Sequence, residues 1–398
     1  MIGAHSGTRT REQEDATCDG EAAKRLLIVV NVSWAFISHR LELARHAAAL
    51  GYEVHVATQV TNEHDARVIQ DAGLVLHDIG MGRGDAGMIH DLGSLVRLCA
   101  LFKRLDPAVV HLVTAKPAIL GGIAARIAGI PAVVAAIAGL GHVFTDTGYR
   151  AWVRRRVVLS AMRRAMAHPR IRAIFQNDED RRTLVNAGVI EKSQAILIRG
   201  AGVDPAAYPL TPEPAGPLRV LFASRMIRTK GVAEFVACAS ALGRTRPGTQ
   251  FLIAGAPDLA NPESLRLDEL EQWQSEGHVS WLGHVKDMAA LIASCHMFVL
   301  PTYYGEGVPK VLIEAAACGR PIVTTDIAGC RDIVKDGENG ILVPPRDVEQ
   351  LTAAVERLLA DPTLRAEFGR AGRQQVEQGF GLQTVLDQTV AIYDELTA

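Results

Sequence analysis

Short apolar runs alternate along the chain with longer segments in which apolar residues recur every three or four positions. In the first half the runs are 26–30, 51–57, 107–111, 132–137, 173–177 and 196–204, the last of them a strand ending in a turn. In the second half they are 218–223, 250–254, 278–282, 296–300, 322–325 and 340–343. Runs of this length read as strands, and those without polar alternation as strands covered on both faces. Between them the pattern predicts a loop over 31–37, a helix capped by Ser38 that reaches about Leu50, and a helix from about Ala118 to Ala128. Another helix begins near Val232, and helical periodicity runs from Val348 to the end. A strand–helix–strand rhythm of this kind predicts an α/β protein with parallel sheets. The alternation is broken once, at 208–217, where four prolines fall in ten residues. That is the natural domain boundary. It divides the chain into a first domain over 25–208, a linker over 209–217 and a second domain over 218–379, with a final segment over 380–398.

One stretch carries chemistry in its pattern. After the apolar run 296–300, Gly305 and Gly307 flank Glu306 in a loop where the backbone can approach a ligand closely. Pro309 suits the first turn of a helix, Val311, Leu312, Ala315 and Ala316 give that helix an apolar face, and Gly319 stops it. Free N–H groups and the positive end of the helix dipole then face the same space as Glu306, with Glu314 in the second turn. Such a site suits a phosphate, with two carboxylates at hand for hydroxyls.

Composition narrows the classes. The length of 398 residues suits two cores, and 48% hydrophobic with 22% charged residues fits a globular protein. A net charge of −2 gives no reason to expect nucleic acid. Six scattered cysteines without a Cys-x-x-Cys pair point to a reducing cytoplasm. Residues 1–24 are polar, lack an apolar core and read as a disordered tail. The longest apolar stretch, 127–141, is broken by Gly129-Ile-Pro131 and is too short to span a bilayer. No Gly-x-Gly-x-x-Gly follows the first strand, so the dinucleotide fingerprint is missing, and Gly139-Leu-Gly141 lacks its third glycine. Residues 147–177 hold eight arginines and no acid, interleaved with Trp152, Val153, Val157, Met162 and Met166. This reads as a basic amphipathic helix for an anionic lipid surface, or as a half-buried helix with a solvated basic face. His39, His111, Lys116 and His142 fall at the carboxyl ends of predicted strands, where open α/β sheets gather ligands.

The spacing Glu306-x7-Glu314, set in Tyr304-Gly-Glu-Gly-Val-Pro-Lys-Val-Leu-Ile-Glu-Ala315, resembles the signature of retaining GT-B glycosyltransferases of family 4. The resemblance extends over nearly all of 26–398 and implies two Rossmann-like domains facing across a cleft. It also implies a final helix, around 383–396, that crosses back to the first domain. Ser224-Arg225 with Lys230-Gly231 is similar to the basic pair that holds the donor diphosphate. Glu314 matches the glutamate that takes the ribose hydroxyls, and Glu306 the one beside the donor sugar. Gly307 and Val308 match positions whose backbone meets sugar and phosphate, and Asn177 and Gly283 are placed on the donor side as well. Catalysis is thereby assigned to Glu306, Arg225 and Lys230. No metal and no cofactor are implied, since two cations serve the diphosphate and no Asp-x-Asp occurs. The donor is a nucleotide diphosphate sugar, a UDP-sugar first.

Phe36-Ile-Ser-His-Arg-Leu41, 111–117 with Lys116, Gly139-Leu-Gly141 and Phe175-Gln-Asn177 are similar to a narrower group of bacterial enzymes that extend polyprenyl diphosphate-linked glycans with hexoses or N-acetylhexosamines. That group implies an acceptor side built from His39, His111, Lys116 and His142, and a peripheral protein at the inner face of the cytoplasmic membrane. Ala138 and Ala201 depart from the polar residues frequent at their places in the wider family. Two alternatives stay open: a GT-B nucleotide-sugar epimerase, and a non-catalytic nucleotide-sugar-binding scaffold of a glycan-assembly complex.

Overall fold

The computed structural model describes residues 23–81, 88–141, 148–303 and 305–398, and in it the apolar runs assemble into two wholly parallel sheets. His142 and the expected tail over 1–22 lie outside the described residues. The first sheet is formed by β1 (Arg25–Val32), β2 (Glu53–Gln59), β3 (Val75–Asp78), β4 (Val109–Val113), β5 (Ala132–Ile137), β6 (Ile171–Phe175) and β7 (Ala195–Leu197). Its spatial order is β3-β2-β1-β4-β5-β6-β7. The second contains β8 (Arg219–Ala223), β9 (Gln250–Ala254), β10 (Ser280–Trp281), β11 (Met297–Leu300), β12 (Ile322–Thr325) and β13 (Gly340–Val343), ordered β10-β9-β8-β11-β12-β13. In each sheet the order reverses beside the first strand, β1 or β8, which opens a crevice at the carboxyl ends of the strands. The two-domain α/β architecture expected from the sequence is the one observed.

Central strands are the most apolar because helices cover both their faces. Every residue of β4, β5, β11 and β12 is buried. The linker is fixed to the second domain. Arg320 donates to Thr211 O and Oγ1 and to Pro212 O, and Arg365 forms a fork with Glu213. The chain then returns: the Leu382–Thr397 helix buries Val385, Leu386, Val390, Ile392, Tyr393 and Leu396 against Leu26, Ile28 and Val134 of the first sheet. Tyr52 Oη donates to Asp394 Oδ1 at 2.7 Å on the same contact. Among the described residues, no helix is long and apolar enough to cross a membrane.

One local expectation fails. The loop expected over 31–37 is a helix, Ser33–His39, so Ser38 lies inside it and caps nothing. Phe36 is fully buried, and placing it in the core fixes this turn as helix. The strand and turn expected over 196–204 are observed as β7 and a turn at Gly200 and Gly202 (φ 70° and 73°), after which Val203 bridges Gly381. At Gly202 the backbone passes so close to Leu382 that a Cβ would lie 2.8 Å from its Cα.

Candidate active site

Two glycines in unusual conformations bring the loops of the second sheet together. Gly231 (φ 81°) ends the short Arg228–Lys230 turn, and a Cβ there would sit 2.2 Å from Pro301 O. Only a residue without a side chain lets this loop lie on the loop that follows β11. The contact places Lys230 against Glu306, with Lys230 Nζ donating to Glu306 Oε2. Both side chains are largely withdrawn from water, at 10% and 16% exposure. Thr302 Oγ1 holds the other carboxylate oxygen at 2.9 Å. Gly255 (φ 134°) has the same role in the neighbouring loop, where a Cβ would meet Ser224 O at 1.8 Å. Arg225 follows, pairs with Asp258 Oδ2 at 2.6 Å, and stacks over the Trp34 ring of the first domain at 5.3 Å. Gly283 (φ 65°) accepts from Gly255 N–H at 2.7 Å and so borders the same loops.

The Lys310–Ala317 helix starts at Pro309 and aims its N-terminus at the cleft. Its approach is tied to the first domain by backbone. Gly141 N–H donates to Gly305 O (2.9 Å), Gly307 N–H to Ala138 O (3.2 Å), and Val308 N–H to Gln176 Oε1 (3.1 Å). The Gly139-Leu-Gly141 pair thus has a packing reason, since a Cβ on Gly139 would come within 2.6 Å of the backbone of 305–307. Glu314 is buried in the second turn, where it accepts from Tyr208 Oη at 2.9 Å with Lys310 Nζ at 3.7 Å. Burial first, then the Glu314 carboxylate, push the Tyr208 phenol above its ordinary range, so it remains a donor to Glu314.

Of the predicted residues, the structure brings Arg225, Lys230, Glu306, Gly307, Val308, Glu314 and Gly283 to one edge of the second sheet. His39 faces them across the cleft. Crowding by the surrounding walls first, then Arg40, Lys310 and Arg225, shift its imidazole below its usual range. Two predicted residues, Asn177 and His111, are committed to the interior of the first domain. Asn177 is buried and caps the Asp178–Asn186 helix, accepting from Asp180 N–H and donating to Asp180 Oδ2. Its amide is committed inside the first domain. His111 is 1% exposed on central strand β4, with Nδ1 bound to Tyr393 Oη, so it is an interior residue and no part of the cleft surface. Lys116 pairs with Asp91 at 2.6 Å on the neighbouring helix. The sequence pattern did not single out Gln176, Tyr208, Thr302 and Trp34. Of these only Gln176 carried a signal, an amide ending a predicted strand.

Residues 217–361 match the family model described as Glycosyl transferases group 1, and residues 25–177 one described as Glycosyl transferase 4-like. The chain is 34% identical over 196 residues to the glycogen synthase of Mycobacterium tuberculosis (strain ATCC 25618 / H37Rv), covering 48% of this chain and 46% of that protein. It therefore spans about half the length of that relative. It is 26% identical over 353 residues to the N,N'-diacetylbacillosaminyl-diphospho-undecaprenol alpha-1,3-N-acetylgalactosaminyltransferase of Campylobacter jejuni, covering 85% of this chain and 90% of that one. In fold it is similar to Anabaena HepE, solved in complex with UDP-glucose, with a TM-score of 0.76 at 17% identity over 94% of this chain and 100% of that chain. With both family matches falling on the two parallel-sheet domains that face across this cleft, the chain belongs to the group 1 glycosyltransferases of the GT-B fold.

Proposed function

We propose that the protein transfers a hexosyl or N-acetylhexosaminyl group from a UDP-sugar to a polyprenyl diphosphate-linked glycan, with retention and without a metal, in surface polysaccharide assembly. The observation that carries this reading is the Lys230–Glu306 pair on the loop that leads into the Lys310–Ala317 helix, with Arg225 held on a neighbouring loop by Asp258 and Trp34. The names of the Campylobacter relative and of the UDP-glucose complex supply the acceptor and donor classes. In this reading Glu314 and Tyr208 take the ribose, and Glu306 lies beside the sugar. The bond from the anomeric carbon to the diphosphate oxygen breaks as the acceptor hydroxyl oxygen bonds to the same face of that carbon. The hydroxyl proton passes to the departing phosphate oxygen. Arg225, Lys230 and the N-terminus of the Lys310–Ala317 helix stabilise the charge that grows there, which is the kind of electrostatic term that contributes most to catalysis. Two fixed cations suffice for that charge in the absence of a metal. Incubation with UDP-hexoses, UDP-N-acetylhexosamines and a short lipid-linked acceptor should give a product whose anomeric configuration, read by NMR, is that of the donor, unchanged by EDTA. An inverted product, or epimerised donor with no transfer, would overturn the reading.

The same reading places the enzyme on the membrane, where such an acceptor resides. On the Tyr149–Met166 helix, Tyr149, Trp152 and Val157 are exposed (78%, 52% and 64%), next to Arg154, Arg155 and Arg156. Each basic residue near an anionic surface contributes about 1 kcal/mol. Changing the three arginines together to glutamine should weaken binding to anionic vesicles roughly 100-fold. Wild type should co-sediment at low salt and be released at high salt, because the attraction is screened. Equal sedimentation of wild type and the triple variant would remove this helix as the contact.

A further inference from the structure

Thr114 holds its backbone at φ 75° and ψ 167°, a region that glycine alone normally occupies. A β-branched residue there is a genuine outlier and is strained. Three hydrogen bonds keep it in place. Thr114 N–H donates to Ala136 O of β5 at 2.9 Å, Thr114 O accepts from Ala118 N–H at 3.0 Å, and Oγ1 donates to Asn31 Oδ1 at 2.9 Å. Asn31 is irregularly placed as well. The register of β1 on β2 slips by one residue between Val29 and Val32, a bulge that takes in Val30 and Asn31. On its other side β1 pairs with β4 only as far as Val29 opposite Leu112. Two residues further on the strands have parted, and the Asn31–Thr114 bond spans the gap. That gap is the switch point of the first sheet, where the order β3-β2-β1-β4 reverses and where ligands gather. Bulges beside such sites re-aim side chains.

The strands on either side carry contacts to the second domain. β1 runs on to Trp34, over which Arg225 stacks, and β5 runs on into 138–141, which meets Gly305 and Gly307. β4 lies between β1 and β5. Asn31 and Thr114, both half-buried, therefore stand on the first-domain side of the cleft between the places where the Arg225 and Glu306 loops touch it. We propose that Asn31 binds a hydroxyl of the acceptor's terminal sugar, and that Thr114 is the positioning residue that aims it. This rests on the transfer reading above and states where its acceptor is held. An amide has a donor end and an acceptor end, so either orientation of the side chain suits a hydroxyl. Thr114 engages one end, and among the described residues the Asn31 side chain makes no other hydrogen bond. A glycine at 114 would relax the backbone but would leave the amide unheld.

The test uses the full chain, the UDP-sugars named above and farnesyl diphosphate-linked N-acetylglucosamine as the acceptor probe. Asn31→Ala should raise the acceptor KM about 10-fold, the effect of one lost hydrogen bond, with UDP affinity by calorimetry unchanged. Thr114→Gly should raise the same KM by a similar factor without lowering Tm, because glycine relieves the strained φ. Thr114→Ser keeps the hydroxyl and should keep the wild-type acceptor KM. Because Thr114 acts through Asn31, the double variant of Asn31→Ala and Thr114→Gly should match Asn31→Ala alone. A wild-type acceptor KM in either folded single variant would overturn the proposal, so one folded variant suffices. Effects that multiply in the double variant, or UDP affinity that falls in step with the acceptor's, would also overturn it. A wild-type enzyme that transfers no sugar to the probe would instead overturn the transfer reading, and the proposal with it.

Discussion

Lys230→Ala is expected to lower kcat by about 10²–10³-fold, the range found when one donor to a developing oxyanion is removed. The donor KM should change far less. Lys230 is held by Gly231, Pro301 and Glu306 in a loop with little freedom, so its ammonium is fixed before any ligand arrives. A fixed charge is most useful where charge grows during the reaction, and in the proposed transfer the departing diphosphate is that place. Arg225 is positioned from a separate loop by Asp258 and Trp34, so it stays in place when the lysine is lost and residual activity persists. Steady-state kinetics with a UDP-sugar donor, together with calorimetry of UDP binding, separate the cases. A variant whose kcat holds while KM rises would show a lysine that serves the ground state only.

Much of this arrangement was readable from sequence, and what was not has a physical reason. Strand β11 and all of β8 after Arg219 are unbroken apolar runs because helices cover both faces, and the loop and helix after β11 announce themselves through Pro309 and Gly319. The pairing of Lys230 with Glu306 spans 76 residues and depends on Gly231 meeting Pro301, which no local pattern reveals. Gln176 and Tyr208 reach their partners over 132 and 106 residues. Tyr208 was hidden further by standing at the head of a proline-rich segment that reads only as a boundary. Asn177 was misread for a different reason. An asparagine three residues before an aspartate, at the head of a helix, is an N-cap signal, and its place at a strand end drew the ligand reading instead. His111 does lie on a strand near the cleft edge, but the terminal helix covers it, and that contact spans 282 residues.

Gly329→Ala should lower kcat/KM by about 100-fold while leaving the fold intact. Gly329 lies in the first turn of the Ala328–Ile333 helix, where alanine is the better helix former by about 1 kcal/mol. The difficulty is not local. A Cβ at this position would lie 1.8 Å from Gly307 O, 2.6 Å from Gly307 C and 2.9 Å from Glu306 O. All three are backbone atoms of the loop that carries Glu306, so no side chain can swing aside and the loop itself must move by about 1 Å or more. That displacement takes Glu306 off Lys230 and Thr302, and breaks the bonds from Gly307 and Val308 N–H to Ala138 O and Gln176 Oε1. Misplacement of catalytic groups on this scale costs about 10²-fold. Gly243→Ala is the matched control, since it lies within the Val232–Thr245 helix and its Cβ would meet nothing within 4 Å. That variant should keep wild-type kinetics with an equal or higher Tm. Circular dichroism and melting curves establish that both variants are folded, and transfer kinetics give the contrast. A folded Gly329→Ala enzyme with the kcat/KM of wild type would mean that the 305–308 loop tolerates displacement, and that Glu306 is not held where the transfer occurs.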